Sequence, residues 1–139
     1  MHIRSFAIND EQAVIDLWTN CGLVRPWNNP HLDIARKLSE QPELFLVVEV
    51  DGKVVGSVMA GYDGHRGWIY YLAVDPDQRG NSYGRALVDA AEQLLLQRGC
   101  PKVNLMIRNG NERVQAFYRQ LGYSTDEVVT MSRRLIKDD

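Results

Sequence analysis

Between residues 68 and 108 the hydrophobic period changes twice, and nothing else in the chain restricts its fold as much. WIYYLAV, residues 68–74, is an apolar run of strand length with apolar residues on both faces, which predicts a covered central strand. After the polar stretch DPDQRGNSYGRA, Leu87, Ala90, Ala91, Leu94 and Leu95 recur at helical spacing, and Gly99 with Pro101 stops that helix. Val103, Leu105 and Ile107 then return to alternation. A strand, a helix and a second strand joined this closely form a right-handed crossover between parallel strands.

The flanking segments fill in the rest. LFLVVEV and KVVGSVMAGY surround Asp51-Gly52, the signature of an antiparallel hairpin, and DGHRG is a second turn leading into the run at 68. Residues 2–8 read as a short strand. Asn9 is placed to cap a helix with Gln12 as its capping-box partner. Val14, Leu17, Trp18 and Cys21 form one apolar face of that helix, and Gly22 ends it. After the stiff loop RPWNNP, Asn29 as cap and Pro30 at the first helical position open a second helix to about Leu38. Val114, Phe117, Tyr118 and Leu121 mark the last helix, ended by Gly122, and YSTDEVVTMSRRLI predicts one or two closing strands. The expected class is α+β (mixed α/β): one domain over 1–139, with about four helices on both faces of a mixed, mostly antiparallel sheet of six or seven strands.

Composition removes several classes of function. A net charge of −2 argues against a broad electrostatic grip on nucleic acid. No run of about 18 apolar residues predicts a membrane span, and MHIRSFAIND lacks the long apolar core of a signal peptide. Cys21 and Cys100 have no CxxC spacing and read as reduced, buried thiols of a cytoplasmic protein. His2, His31 and His65 are scattered, so no metal is expected.

Arg79, Gly80 and Gly84 stand where the third helix begins. The start of a helix exposes unpaired N–H groups and the positive end of its dipole, a natural seat for phosphate oxygens. Glycine lets a ligand approach the backbone, and arginine adds a planar charged fork. The stretch lacks the GKS/GKT of a Walker loop and the GxGxxG of a dinucleotide fingerprint. Taken alone, two glycines also suit an ordinary strand-to-helix connection.

The wider pattern says more. Val74, Pro76, Arg79, Gly80 and Gly84, read as V-x-P-x-x-R-G-x-x-x-G, resemble the acetyl-coenzyme A motif of the GNAT (Gcn5-related N-acetyltransferase) superfamily. Asn111, Tyr118 seven residues later, and Leu121-Gly122-Tyr123 resemble its second hallmark, and the element order fits the same fold. RPWNNP, YDGHRG and RGCPK further resemble the bacterial YpeA-type branch. One departure stands out: Ser82 occupies a position where that superfamily usually has glycine. Its hydroxyl could cap the helix. Its Cβ could crowd a pyrophosphate or forbid a positive φ, so weaker or displaced cofactor binding is expected.

The resemblance implies an N-acetyltransferase that takes acetyl-CoA as co-substrate, needs no metal, and acetylates a primary amine of a small-molecule or peptide acceptor by direct attack. It assigns the strand backbone at Leu72, Ala73 and Val74 to the pantetheine arm. It assigns the turn amides of Arg79, Gly80, Asn81, Ser82, Tyr83, Gly84 and Arg85 to the pyrophosphate. Asn111 would hydrogen-bond the pantetheine, and Tyr118 would protonate the leaving thiolate. Without the resemblance, Tyr118 is a core aromatic and Asn111 a helix cap.

The general base is less determined. Some superfamily members carry glutamate where this chain has Trp68. Strand alternation puts Trp68, Tyr70, Leu72 and Val74 on one face and Tyr71 on the other, leaving Tyr70 as a proton relay; Asp63, His65 and Glu49 are further candidates. Arg25, Trp27 and Asn28, in the loop before the second helix, with Asp63 and His65, are the expected acceptor-side residues. Mild acidity suits a cationic acceptor in a monomer or homodimer. The alternative is a non-catalytic acyl-CoA-binding module.

Overall fold

Asp51 and Gly52 both take positive φ, 52° and 77°, and so reverse the chain with the twist the flanking strands require. Around this turn, β2 (Phe45–Val50) and β3 (Lys53–Tyr62) pair antiparallel, and β3 pairs antiparallel with β4 (Gly67–Val74) through the DGHRG turn. β1 (His2–Ser5) lies antiparallel along the other edge of β2, and β5 (Val103–Leu105) joins β4 in parallel. The sheet order is β1-β2-β3-β4-β5. Four helices accompany it: α1 (Glu11–Asn20), α2 (Pro30–Leu38), α3 (Tyr83–Gln97) and α4 (Glu112–Gln120). The computed structural model describes residues 1–139 as two compact units, one of Met1–Leu105 with Asp138–Asp139 and one of Met106–Lys137.

The core of the first unit lies on both faces of the sheet. Gly56 and Ser57 are consecutive on β3 and therefore face opposite sides. A Cβ on Gly56 would sit 3.1 Å from Leu87 Cδ1 of α3. Ser57 instead meets Trp18 of α1. α1 supplies Val14, Ile15, Leu17 and Trp18 to a cluster with Phe6, Ile34, Phe45, Val47, Met59 and Ala73. Leu87, Val88, Ala91 and Leu95 are the buried face of α3.

Several expectations are corrected. The sheet has five strands rather than six or seven, because residues 124–137 form no strand. Val128, Val129, Met131 and Leu135 in this tail are 76–90% exposed. Its β-branched composition satisfies intrinsic propensity only, and a strand also needs a neighbour whose packing stabilises it. The first strand stops at Ser5, and Ile8–Asp10 is a single 3₁₀ turn. Asp10 rather than Asn9 precedes α1, held there by ion pairing: Arg4 donates to its two carboxylate oxygens at 2.7 and 3.0 Å, and Ala7 N–H donates at 2.8 Å. Gln12 donates instead to Asp16. α2 follows expectation, with Asn29 Oδ1 accepting from His31 N and Leu32 N. Cys100 is buried, but Cys21 is only half-buried.

Candidate active site

β4 does not alternate regularly. Ser57 lies opposite Ala73 and Met59 opposite Tyr70, so Val58 alone faces two residues, Tyr71 and Leu72. This is a β-bulge, and Tyr71 carries it at φ 53°. Before the bulge Gly67 faces α3, where an added Cβ would lie 3.1 Å from Leu95 Cδ1. Beyond it Tyr71 and Ala73 pack into the core under α1. Trp68 and Tyr70 therefore do not share a face with Leu72 and Val74, which corrects the alternation expected from sequence. Nor is the strand covered on both sides, since Tyr70 is 42% exposed.

The far edge of β4 is open. β5 pairs only with Gly67, Trp68 and Ile69, so from Tyr70 to Val74 no strand is hydrogen-bonded on that side. The open stretch includes Leu72, Ala73 and Val74 and runs directly into the glycine turn. The turn is built from its own side chains: Asp75 accepts from Asp77 N at 2.9 Å, and Asn81 Nδ2 donates to Gln78 O at 3.0 Å. Arg79, Gly80, Asn81 and Ser82 are exposed. Gly80 takes φ 89°, a conformation glycine adopts without strain. Ser82 precedes α3 at φ 64°, ψ 19°, and its hydroxyl makes no capping hydrogen bond. The expectation that serine would cap the helix or forbid positive φ is thus corrected: Ser82 adopts the left-handed shape glycine would supply. Tyr83, Gly84 and Arg85 form the first turn of α3, whose leading amides have no partner within the helix. Arg79 Nη2 lies 3.8 Å from Cys21 Sγ, and that thiol donates to the Val74 carbonyl at 3.3 Å.

In the second unit, Asn111 caps α4, its Oδ1 accepting from Val114 N at 3.3 Å. Tyr118 is buried between the edges of Phe117 and Tyr123, with ring centroids 5.1 and 5.4 Å away. Burial pushes its phenol well above the usual tyrosine range, so the hydroxyl keeps its proton. Tyr70 is also raised, by burial first and the nearby Asp63 charge second, so it too carries its proton at neutral pH.

The other candidates have visible occupations. Asp63 Oδ1 accepts from Arg66 N at 2.7 Å and His65 N at 2.8 Å, and these two amides hold its carboxyl below the usual range. Its first task is the DGHRG turn, while His65 is exposed. Glu49 is paired with Arg4 at 3.4 Å. Trp27 is 47% exposed, and Arg25 and Asn28 are half-buried in the same loop. No group of three or more His, Cys, Asp or Glu residues could hold a metal ion, and no helix is long and apolar enough to cross a membrane.

Periodicity gave no sign of one cluster. Tyr71 stacks on Trp18 with centroids 3.8 Å apart, and its hydroxyl donates to Asp33 Oδ2 at 2.6 Å. Trp18 Nε1 donates to Ser57 Oγ, which donates to the Tyr71 carbonyl, both at 2.9 Å. No single residue in this set carries a motif, and a bulge is not encoded by alternation.

A five-stranded mixed sheet whose fourth strand is bulged, open along one edge, and followed by a glycine turn and a helix defines a class that comparison makes definite. The model of the acetyltransferase (GNAT) family matches residues 11–123, and the chain belongs to that family. It is 53% identical to an acetyltransferase of Pectobacterium atrosepticum over 138 residues, covering 99% of this chain and 98% of that one. It is 52% identical to an uncharacterized N-acetyltransferase of Yersinia pestis, with the same coverage. Among solved structures, Ard1 from Thermoplasma volcanium superposes with a TM-score of 0.78 at 29% identity, covering 88% of this chain and 82% of that one. An aminoglycoside 6′-N-acetyltransferase from Acinetobacter haemolyticus shares the fold, with a TM-score of 0.77 at 19% identity over 98% of this chain and all of that one. The chain is an acyltransferase of the GNAT fold.

Proposed function

We propose that this protein transfers the acetyl group of acetyl-CoA to a primary amine by direct attack in a ternary complex, with residues 1–139 acting as one N-acetyltransferase domain. The family match extends into both compact units, which supports that reading. The observation that carries the proposal is the continuity of an open β4 edge, residues 70–74, with a turn holding Gly80 and Ser82 in left-handed geometry ahead of α3. An extended amide-bearing chain adds to such an edge as a strand would. A diphosphate suits the amides at the helix start.

Leu72, Ala73 and Val74 would pair with the pantetheine arm. The backbone from Arg79 to Arg85 would hold the pyrophosphate, with the Arg79 guanidinium adding charge. When bound, the co-substrate supplies an electrophilic thioester carbonyl. A bulge leaves its extra residue outside the regular ladder, so an N–H at Tyr71–Leu72 would be placed to polarise that carbonyl. Asn111 uses Oδ1 as a cap, which leaves Nδ2 to donate to the pantetheine. Tyr118, protonated and buried, would donate to the departing thiolate. Tyr70 would pass the amine proton outward through water. Arg25, Trp27, Asn28, Asp63 and His65 would meet an acceptor amine. The exposed Trp27 face, the Asp63 carboxylate and the net charge of −2 favour a cationic one.

The test is thiol release from acetyl-CoA across a panel of peptides, polyamines, aminoglycosides and amino acids. Acetylation of at least one amine, with turnover reduced about a hundredfold in Tyr118→Phe and the coenzyme Kd nearly unchanged, is the expected result. Coenzyme at about 100 times its Kd should also add about 2.7 kcal/mol to the stability of the fold. A protein whose melting ignores both acetyl-CoA and coenzyme A would overturn the proposal.

A further inference from the structure

An aromatic residue at positive φ is a backbone outlier, and such geometry persists only where the surroundings over-determine it. Tyr71 is held at three points. Its ring stacks on Trp18 at 3.8 Å between centroids and 12° between planes. Its carbonyl accepts from Ser57 Oγ at 2.9 Å, and its hydroxyl donates to Asp33 Oδ2 at 2.6 Å. The first two points are joined, because Trp18 Nε1 donates to the same Ser57 Oγ at 2.9 Å. Trp18 and Ser57 are fully buried, so the Ser57 hydroxyl is a polar group whose donor and acceptor roles are both filled inside the core. Asp33 is steadied in turn: it lies on α2 with Arg36 Nη1 3.7 Å from its Oδ1, and Arg36 is paired with Asp138 at 2.8 Å.

A core built only for stability would use an apolar residue at Ser57, since replacing hydrogen-bonded polar groups by apolar ones of similar shape can be nearly neutral. The hydroxyl here binds one particular carbonyl, that of the bulged residue. We propose that Trp18, Ser57 and Asp33 are positioning residues. Together they fix Tyr71 in the left-handed region and so set the direction in which the β4 bulge presents its backbone N–H to the thioester carbonyl. This rests on the reading of β4 as the strand that holds acetyl-CoA.

Two measurements test it without knowledge of the acceptor. The first is amide hydrogen exchange of the ligand-free protein. In Ser57→Ala the amides of Tyr71 and Leu72 should exchange about tenfold faster relative to the rest of β4. Tyr71→Phe, which keeps the ring and loses only the Asp33 anchor, should show a smaller change of the same kind. Asp33→Asn keeps an acceptor for the Tyr71 hydroxyl and should resemble wild type, whereas Asp33→Leu should not. The second is the infrared carbonyl band of acetyl-CoA labelled with ¹³C at the thioester carbonyl. Wild type should shift the band to lower frequency. Ser57→Ala should lose most of that shift and Tyr71→Phe a smaller part of it, while the acetyl-CoA Kd, by calorimetry, stays within about twofold. In a Tyr71→Gly background, where positive φ needs no support, Ser57→Ala should have little further effect on exchange.

An unchanged exchange rate at Tyr71 and Leu72 in Ser57→Ala, or an unchanged carbonyl shift in variants that still bind acetyl-CoA, overturns the proposal. If Ser57→Ala fails to fold, Tyr71→Phe and Asp33→Leu carry the same two readouts. Wild type that does not bind acetyl-CoA would sink the reading of β4 and with it the positioning role. That failure is recognisable, because the exchange result would stand without it.

Discussion

Ser82→Gly should stabilise this protein. Ser82 holds φ 64° and ψ 19°, and its hydroxyl makes no capping hydrogen bond, so removing the side chain loses no observed contact. A non-glycine residue in the left-handed region is strained by about 1.5 kcal/mol. Glycine returns about 0.7 kcal/mol of that through the larger entropy of the unfolded chain. The net gain is about 0.8 kcal/mol, a rise of about 2–3 °C in melting temperature for a domain of this size. Ser82→Ala keeps the strain and should match wild type. Ser82→Val should fall below both, because a β-branched side chain tolerates positive φ least. Coenzyme A affinity should change by less than about threefold in Ser82→Gly, since the turn already has the shape glycine would give it. Urea denaturation of the three variants and calorimetry with coenzyme A provide the check. Equal stability of Ser82→Gly and Ser82→Ala, or a loss in Ser82→Gly, would refute the reasoning and show that the hydroxyl has a role.

Arg79→Ala should weaken coenzyme A binding about tenfold or more with little loss of stability, as calorimetry and melting would show, because Arg79 is exposed and its guanidinium reaches Cys21 Sγ only at 3.8 Å. Gly56→Ala should destabilise by about 2 kcal/mol in urea titration, since the new Cβ would lie 2.7 Å from Val48 Cγ1 and 3.1 Å from both the Ala73 carbonyl and Leu87 Cδ1. Asp10→Asn should destabilise by about 2 kcal/mol at pH 7. The hydrogen bond from Arg4 holds Asp10 below its ordinary value of 3.8, so its contribution is present above that value and is lost as pH falls through the lower folded one. The gap between wild type and Asp10→Asn, read from melting at several pH values, should therefore close only in that acidic window.

Much of the fold was legible because periodicity and turn chemistry pointed the same way. The Asp51-Gly52 hairpin, the Asn29-Pro30 helix start and the change of period after Val74 each combine a local signal with a hydrophobic pattern. The misses share a cause. The tail at 124–137 had strand composition, but composition does not provide an edge to pair with. Asn9 had the composition of a cap, but Asp10 precedes α1, its carboxylate taken up by Arg4 and the Ala7 amide rather than by the helix. The Tyr71 bulge is set by Trp18, Ser57 and Asp33, which are distant in sequence and carry no pattern of their own. At the candidate site, Gly80 and Gly84 announced the turn. The open edge of β4 depends on where β5 stops, which the alternation at Val103, Leu105 and Ile107 placed too late.

Four non-glycine residues take positive φ: Gln41, Asp51, Tyr71 and Ser82. Two are explained by nearby structure. Asp51 belongs to a two-residue hairpin turn that needs this shape, and Gln41 uses its side chain to bond both backbone groups of Tyr62, at 2.9 and 3.0 Å. The other two bracket residues 72–81, the open end of β4 and the glycine turn. Neither is a tyrosine or serine by backbone preference, since glycine would serve both positions with less strain. At Tyr71 the strain is offset by ring stacking, the hydroxyl bond to Asp33 and the Ser57 bond to its carbonyl. At Ser82 no contact offsets it, and that makes Ser82 the position where substitution should raise stability at once. If strain along this segment serves to hold backbone amides for a ligand, relief at Ser82 should leave binding intact, whereas release of Tyr71 should degrade the carbonyl contact. The two ends of one strand-and-turn segment would then answer the same kind of perturbation in opposite ways.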